Sequence, residues 1–201
     1  MADAPDEFDA VKLRNALNAL CGPRIAITSC RAVDESFHAR FSARSRLYTY
    51  AILETETPDP FLARTSLHHP TPLNIDAMNE AAGHLMGQRD FSSFGRVPEG
   101  ASPERILFEL RCNRAGGVLR IRARANAFIH QMVRSLVGTL VETGEGKRSP
   151  EEVLATLAAR DRAAAGPVAP PQGLCLVSVD YEEGWSVPAQ VDEFDPSKGG
   201  S

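Results

Sequence analysis

The chain has 201 residues, of which 43% are hydrophobic, and this predicts one large domain, or one and a half smaller domains, with an ordinary globular core. A formal net charge of −4 excludes a surface that is uniformly attractive to nucleic acid. No apolar run approaches the ~20 residues of a membrane-spanning helix, and the acidic start is not a secretory signal, so a soluble cytoplasmic protein is expected.

The first predicted element is a helix over residues 5–20, with acids in its first turn and an end at Cys21-Gly22-Pro23. Residues 25–29 then alternate with a period of two, which predicts a short strand. A strand needs a partner for its backbone groups, and no other strand is predicted nearby. We therefore expect residues 1–36 to be the remnant of an N-terminal half whose first part is absent.

The clearest strand covers residues 46–54, because this segment alternates and is rich in aromatic and β-branched residues. Tyr48 and Tyr50 share one face of it. The residues before it, from about 33 to 45, are irregular, and a proline-bearing loop follows over residues 55–72.

A helix is predicted from Asn74, or its neighbour, through Gly87, because polar Asn is a good helix cap and apolar residues follow at helical spacing. A long loop and two strands come next, at residues 88–102, 105–114 and 117–125. The dipeptide Ala115-Gly116 is a plausible hairpin turn between the two strands.

The most apolar helix follows a break at Asn126, since apolar residues recur at spacings of three and four from Phe128 to Leu140. The remaining elements are a loop, a short helix, an alanine- and proline-rich loop and a final strand, at residues 143–149, 150–159, 160–172 and 174–181. From residue 46 onward, this order predicts an α/β (α+β) fold in which four mainly antiparallel strands carry helices on one face. We assign residues 37–184 to this domain and residues 185–201 to a disordered tail.

Arg134 is the unusual residue of the long helix. A guanidinium in so apolar a helix is partly desolvated unless an anion meets it. The pattern alone favours a simpler interpretation, in which the side chain extends to water or pairs with a core carboxylate.

Arginines and aromatic residues recur together in the loops and at the strand ends of this chain. Flat rings can stack on bases and guanidinium groups can bind phosphates, but the same rings can equally belong to the core and the arginines to a solvated face. The residues concerned are Phe37, His38, Arg40, Phe41, Arg46, Tyr48, Phe91, Phe94, Asn126, Phe128, His130 and Arg134.

Signatures of metal or nucleophilic chemistry are scarce. The four cysteines have no metal-ligand spacing and are expected to be reduced thiols. Neither a phosphate-binding glycine loop nor a G-x-S-x-G motif occurs. Asp34, Asp90 and Asp180 lie near plausible site segments, although an acid in such a position is more often a cap or turn residue than a nucleophile.

Four ordered blocks of this sequence resemble the bacterial TruA-type tRNA pseudouridine synthases. They are FHARFSARSRLYTYAI, DFSSF, RANAFIHQMVRSLVG and GLCLVSVDY, at residues 37–52, 90–94, 124–138 and 173–181. Their order and spacing both match, and the resemblance covers nearly the whole chain up to about Glu183.

The resemblance implies the pseudouridine synthase fold, with two similar α/β halves around a basic cleft. It implies an isomerase that breaks the glycosidic bond of uridines in the anticodon stem-loop of tRNA, turns the base and rejoins it through carbon. Such enzymes act as homodimers and use no cofactor, so the implied partners are tRNA and a second copy of the chain.

Residue by residue, the resemblance gives Arg134 the part of the arginine that pairs with the catalytic aspartate. Tyr48 matches the tyrosine that contacts the target uridine, for which its ring offers a stacking face and its hydroxyl a partner. The candidate RNA-binding residues are His38, Arg40, Arg44, Arg46, Phe94, Asn126 and His130. Gln131 stands where a second histidine is frequent, and Cys175 where an aromatic residue is frequent.

The family nucleophile is an aspartate in a G-R-T-D-x-G-V-H-A block, and these 201 residues contain no such block. The unpartnered helix and strand at the start agree with a missing N-terminal half, which a separate chain could supply. We therefore expect this chain alone not to make pseudouridine. The alternative is a non-catalytic RNA-binding or dimerisation module with the same fold.

Overall fold

The computed structural model describes residues 9–182, so the predicted tail at residues 185–201 lies outside the described residues. The chain divides into two compact units, Met1–Ser42 and Ala43–Ser201. None of the helices within residues 9–182 combines the length and the apolar character that crossing a membrane requires.

In its described part, residues 9–42, the first unit contains one helix, α1 (Ala10–Cys21). It begins there because the Asp9 carboxylate accepts hydrogen bonds from the backbone N–H groups of Val11 (3.0 Å) and Lys12 (2.9 Å). The helix matches the predicted one over the residues that the structure describes. None of its residues is buried, and Leu20 is 83% exposed.

The short strand predicted at residues 25–29 is wrong, because residues 26–34 have no regular secondary structure. The side chain of Asn18 takes the place of a partner strand. Its amide oxygen accepts from the N–H of Ile27 (2.7 Å), and its amide nitrogen donates to the carbonyl of Ile27 (3.0 Å). A helix residue therefore satisfies the backbone groups that alternation alone assigns to a sheet.

The second unit is built on a mixed sheet that has six strands within the described residues. They are β1 (Ser45–Glu54), β2 (Leu67–His69), β3 (Gly87–Asp90), β4 (Glu104–Ala115), β5 (Val118–Ala125) and β6 (Leu174–Asp180). The strand order is β2-β1-β5-β4-β3, and β6 also pairs with β1. Only β2 runs parallel to its neighbour, so the sheet is mainly antiparallel as predicted.

Two of the six strands, β2 and β3, lie almost entirely in segments that the sequence predicts as loops. β2 and β3 have three and four residues, too few for a visible alternation. β2 pairs with the end of β1 (Ile52–Glu54 side) and β6 with its beginning, so both lie along the same edge of β1. The prediction of four strands is therefore corrected to six within residues 9–182.

Between residues 43 and 182 this unit has three α-helices: α2 (Ile75–His84), α3 (Met132–Gly144) and α4 (Glu152–Ala159). α2 starts after Asn74, whose side chain accepts from two backbone N–H groups of the first turn, as predicted. α2 and α3 pack on the sheet face that carries Tyr50 and Ile52. Fully buried side chains at the centre of this layer are Tyr50, Ile52, Met78, Leu85, Phe91, Phe94, Leu107, Leu119, Ile121, Met132, Leu136 and Leu140.

The β4–β5 hairpin closes one residue later than predicted. Gly116 and Gly117 connect the strands with φ angles of 57° and 75°. Both values lie in the left-handed region, which a two-residue type I′ turn requires and which glycine adopts without strain.

The sheet face opposite the helices carries charged side chains. Glu109 lies 2.9 Å from the Nε of Arg122 and 3.8 Å from that of Arg124, and Arg124 also pairs with Asp180 at 2.5 Å. This arrangement follows from the strand period, because residues between the buried Ile121, Ala123 and Ala125 must point the other way.

Candidate active site

Arg134 lies in the first turn of α3 and is partly buried. Its Nε donates to the carbonyl of Ala169 (2.5 Å), and the Ala169 N–H donates to the carbonyl of Arg134 (3.0 Å). Within residues 9–182, no carboxylate lies within 4.0 Å of this guanidinium. Of the two simpler interpretations from the sequence, the pair with a core carboxylate therefore does not hold among the described residues, whereas the partial exposure of Arg134 agrees with a side chain that reaches water.

Tyr50 lies close to this arginine and is fully buried. Its hydroxyl donates to the carbonyl of Pro170 at 2.7 Å. Burial raises the pKa of Tyr50 to about 12, although the positive charge of Arg134 acts to lower it. The phenol is therefore neutral at physiological pH, and its hydroxyl remains a hydrogen-bond donor to the Pro170 carbonyl.

Tyr48 precedes Tyr50 on the same face of β1 and is only partly buried. Its ring meets that of Phe128 edge-on, with centroids 5.3 Å apart and an interplanar angle of 87°. The strand period thus places a second tyrosine on the face of β1 that carries Tyr50.

Asn126 fixes the start of the segment before α3, and the helix starts at Met132 and not at Phe128 because Gln131 has a left-handed backbone (φ 66°) and His130 pairs with Arg96. The Asn126 side-chain oxygen accepts from the N–H of Ile106 (2.9 Å) and of Ala127 (2.8 Å). Its carbonyl accepts from Nη1 of Arg46 at 2.6 Å. These bonds hold Arg46 and Asn126 against the backbone.

His130 has an exposed side chain, and its backbone pairs with Arg96. The Arg96 N–H donates to the carbonyl of His130 at 3.0 Å. A Cβ on Gly95 would lie 2.6 Å from that carbonyl oxygen, so only glycine allows this close approach. The loop after the D-F-S-S-F block is thereby placed beside the residues that lead into α3.

Phe94 lies in the core with 0% of its surface exposed, and its ring is 6.1 Å from that of Phe91. The 3₁₀ turn Ser92–Phe94 is fixed by Ser93, whose hydroxyl donates to the carbonyl of Thr156 at 2.7 Å. This burial does not support a direct contact between the Phe94 ring and RNA, because the turn directs the ring inward.

His38 and Arg40 lie in the first unit and are exposed. His38 Nδ1 accepts from the N–H groups of Arg40 (3.2 Å) and Phe41 (3.3 Å), and the rings of His38 and Phe41 lie 4.4 Å apart. Arg44 belongs to the second unit, is exposed, and forms an ion pair with Glu182.

The three acids that the sequence singles out serve local structure. Hydrogen bonds to Asp34 from the side chain of Ser36 and from its backbone N–H lower the pKa of Asp34. Burial raises the pKa of Asp90, but bonds from Ser92 and the charge of Arg160 outweigh it and lower that pKa overall. Asp180 bonds Ser45 and Arg124 on the charged face of the sheet.

The residues that sequence reasoning missed are Tyr50, as a partner of the loop, and the loop residues Ala169 and Pro170. The segment that contains them was predicted only as an alanine- and proline-rich connection. No local signal marks these contacts, because Tyr50 and Pro170 are 120 residues apart in the chain.

Comparison with known proteins identifies the family. A family model described as tRNA pseudouridine synthase matches residues 81–182. A protein of Rhizobium meliloti (strain 1021) named tRNA pseudouridine synthase A is 44% identical over 183 residues, which are 89% of this chain and 74% of that protein. Proteins of the same name from Allorhizobium ampelinum and Rhodopseudomonas palustris are 46% and 42% identical, over 85% and 90% of this chain and 67% and 74% of theirs.

These matches confirm the resemblance that the four sequence blocks carry, and the mixed α/β architecture agrees with the pseudouridine synthase fold. Because the family model covers half of the chain and the relatives are more than 40% identical over most of it, the chain belongs to the tRNA pseudouridine synthase family.

Proposed function

We propose that this chain forms part of the active site of an enzyme that isomerises uridine to pseudouridine in the anticodon stem-loop of tRNA, without a cofactor. The observation that carries the proposal is the guanidinium of Arg134. It is partly buried, its Nε edge is taken by Ala169, and its two terminal nitrogens have no partner within residues 9–182. A partly desolvated cation of this kind is stabilised by an anion.

The two terminal nitrogens suit the fork geometry in which arginine binds a carboxylate with two parallel hydrogen bonds. In this proposal they hold the nucleophilic aspartate of the family ionised and aimed at the uridine. Tyr48 offers the flipped base a ring face and a hydroxyl, since its ring is braced edge-on by Phe128 and not fully buried. Arg134 thus acts on the nucleophile and Tyr48 on the base.

The proposed RNA path includes exposed side chains that can bind phosphates or stack, namely His38, Arg40, Arg44 and His130. Arg46 and Asn126 contribute by fixing the backbone that leads into α3. Phe94 has the weakest support, because its ring is in the core. We further propose a homodimer that works in the cytoplasm, where the free state of all four cysteines is usual.

We propose that the nucleophilic aspartate comes from polypeptide outside these 201 residues, which contain no G-R-T-D-x-G-V-H-A block. Support comes from the first unit, where α1 has an amphipathic pattern but no buried residue. Its exposed apolar side chains include Val11, Leu13 and Leu20. In this view residues 1–36 belong with that N-terminal polypeptide. The lack of the block equally favours the second candidate, a non-catalytic RNA-binding or dimerisation module.

The test is release of tritium from transcribed tRNA labelled at C5 of uridine. The chain is assayed alone and together with a polypeptide that contains the aspartate block. We expect turnover only in the mixture, and we expect Arg134→Lys to slow that turnover at least about a hundredfold. Turnover by the chain alone would disprove the need for a second polypeptide, and no turnover by the mixture, with tRNA still bound, would favour the non-catalytic module.

A further inference from the structure

The loop at residues 165–173 is attached to α3 at several points. The N–H of Gly166 donates to the hydroxyl of Thr139 at 3.0 Å. A Cβ on Gly138 would lie 1.7 Å from the carbonyl oxygen of Pro167, so helix and loop touch at the backbone. Together with the two bonds between Ala169 and Arg134, these contacts set the loop against the first half of the helix.

The same loop is attached to β1 through Tyr50. The Tyr50 hydroxyl donates to the carbonyl of Pro170, the residue next to Ala169. A Cβ on Gly173 would lie 2.7 Å from the Tyr50 ring and 2.7 Å from the carbonyl of Ala51, so the end of the loop rests on the ring and the strand. Tyr50 therefore connects the sheet to the loop peptide Ala169-Pro170, and this peptide in turn binds Arg134.

We propose that Tyr50 is a positioning residue for Arg134, which acts through the carbonyls of Pro170 and Ala169. By fixing the Pro170 carbonyl, the phenol orients the neighbouring Ala169 carbonyl, and this oxygen takes the Nε edge of the guanidinium. The terminal nitrogens are then presented in one direction. This inference rests on the proposed role of Arg134. The claim that Tyr50 orients the Arg134 guanidinium can nevertheless be tested on this chain without the second polypeptide.

Two properties of Tyr50 suit this task. Its side chain is fully buried, so water does not compete for the Pro170 carbonyl. Its phenol stays protonated across the physiological range, so it always donates. A purely structural role would predict that removing the hydroxyl lowers stability without any change at Arg134.

The test is the exchange of the Arg134 Nε–H with water, measured by NMR on the ¹⁵N-labelled chain. The signal is assigned by its loss in Arg134→Lys. Tyr50→Phe keeps the ring and removes only the hydroxyl donor. We expect this variant to speed the exchange of the Arg134 Nε–H about tenfold, because the loss of one ordinary hydrogen bond corresponds to about that factor. Tyr181→Phe is the matched control and should leave the exchange rate unchanged. Leu174, at the start of β6, pairs with Tyr50, whereas Tyr181 follows the opposite end of that strand.

An unchanged Arg134 rate in Tyr50→Phe overturns the proposal, whatever the activity assay shows. If that variant does not fold, the exchange rate of the wild-type chain is the test. An Arg134 Nε–H that exchanges as fast as in free arginine also overturns the proposal. In the active mixture described above, we expect Tyr50→Phe to lower kcat about tenfold and to change KM for tRNA less than twofold. A loss confined to KM would contradict the positioning role.

Discussion

Arg124 and Asp180 are joined by an ion pair of 2.5 Å although their strands, β5 and β6, are not neighbours. Strand β1 lies between them, and the pair crosses it close to Ser45, whose hydroxyl also bonds Asp180. The side chains are 31% and 38% exposed, so water and salt weaken the attraction.

For this reason, Asp180→Asn should lower the free energy of unfolding by no more than about 1 kcal/mol. The loss should shrink further in high salt, because screening already weakens the wild-type pair. Urea titrations at two salt concentrations measure it. Glu99→Gln is the control, since Glu99 is an exposed loop carboxylate with no bond within the described residues. A loss as large as that expected for a buried pair would show that the pair is shielded from solvent.

Glu54 and Arg114 form a more buried pair. The Glu54 side chain is 2% exposed and accepts from Arg114 Nε (2.5 Å), Arg114 Nη2 (2.9 Å) and the N–H of Leu73 (2.8 Å). Burial raises the pKa of Glu54, but these hydrogen bonds outweigh it and hold the pKa below its ordinary value. Because Arg114 remains 35% exposed, Glu54→Gln should cost about 2 kcal/mol, less than the removal of one partner from a fully buried pair.

The pH dependence of this contribution has a definite sign. A carboxyl group whose pKa is lower in the folded state stabilises the protein above its unfolded-state pKa, and the contribution is lost as the pH falls through the folded-state pKa. The stability difference between wild type and Glu54→Gln should therefore be constant at neutral pH and shrink below the ordinary pKa of 4.5. A difference that grows on acidification would contradict the pKa assignment.

Two helical glycines provide a matched pair of substitutions. A Cβ on Gly138 in α3 would meet the Pro167 carbonyl, whereas a Cβ on Gly83 in α2 would have nothing within 4 Å. Gly138→Ala should cost about 3 kcal/mol through overpacking, and Gly83→Ala should add about 0.8 kcal/mol through helix propensity. Thermal and urea unfolding of both variants measure the difference, and equal effects would show that the loop gives way at Gly138 without cost.

Arg134→Lys tests the fork geometry directly. Lysine keeps the charge but not the planar pair of donors, so kcat of the active mixture should fall at least about a hundredfold. Tyr48→Phe keeps the stacking face and should cost less. Tritium release under single-turnover conditions measures both, and a fully active Arg134→Lys would rule out a two-bond contact with the aspartate.

Salt dependence tests the proposed RNA path. Each arginine that contacts a phosphate contributes to the slope of log K against log salt concentration, so Arg40→Ala should reduce that slope by about one. Lys147→Ala removes another exposed cation, one that lies outside the proposed path and pairs with Glu145, and it should leave the slope unchanged. Equal slopes for wild type and Arg40→Ala would remove Arg40 from the path.

The sequence predicts those parts of the fold whose signals are local and long. The alternation that ends in Glu54 marks β1, and Asn74 marks the start of α2, because each depends on residues within one element. β2 and β3 escape detection since three or four residues carry too little pattern. Residues 25–29 alternate like a strand, yet Asn18 satisfies Ile27, a contact that no periodicity contains.

In the candidate site, too, local motifs are visible in the sequence and tertiary contacts are not. The resemblance singles out Tyr48 and Arg134 through their motifs, but it carries no information on which peptide holds the guanidinium. Ala169 and Pro170 reach Arg134 and Tyr50 only through the tertiary fold. Phe94 belongs to the D-F-S-S-F block that resembles the family and is nevertheless in the core, because the sequence does not tell whether an aromatic ring faces the core or the solvent.

Strand β1 pairs with β2, β5 and β6, and its last partner is made more than a hundred residues after it. During synthesis, the part of the β1 edge that pairs with β6, from Ser45 to Tyr50, therefore stays unpaired until nearly the whole second unit has left the ribosome. The β4–β5 hairpin, with its two-glycine turn, closes early by comparison. A nascent chain thus exposes an unfinished sheet edge for most of its translation, which makes this the stage at which a chaperone is most useful.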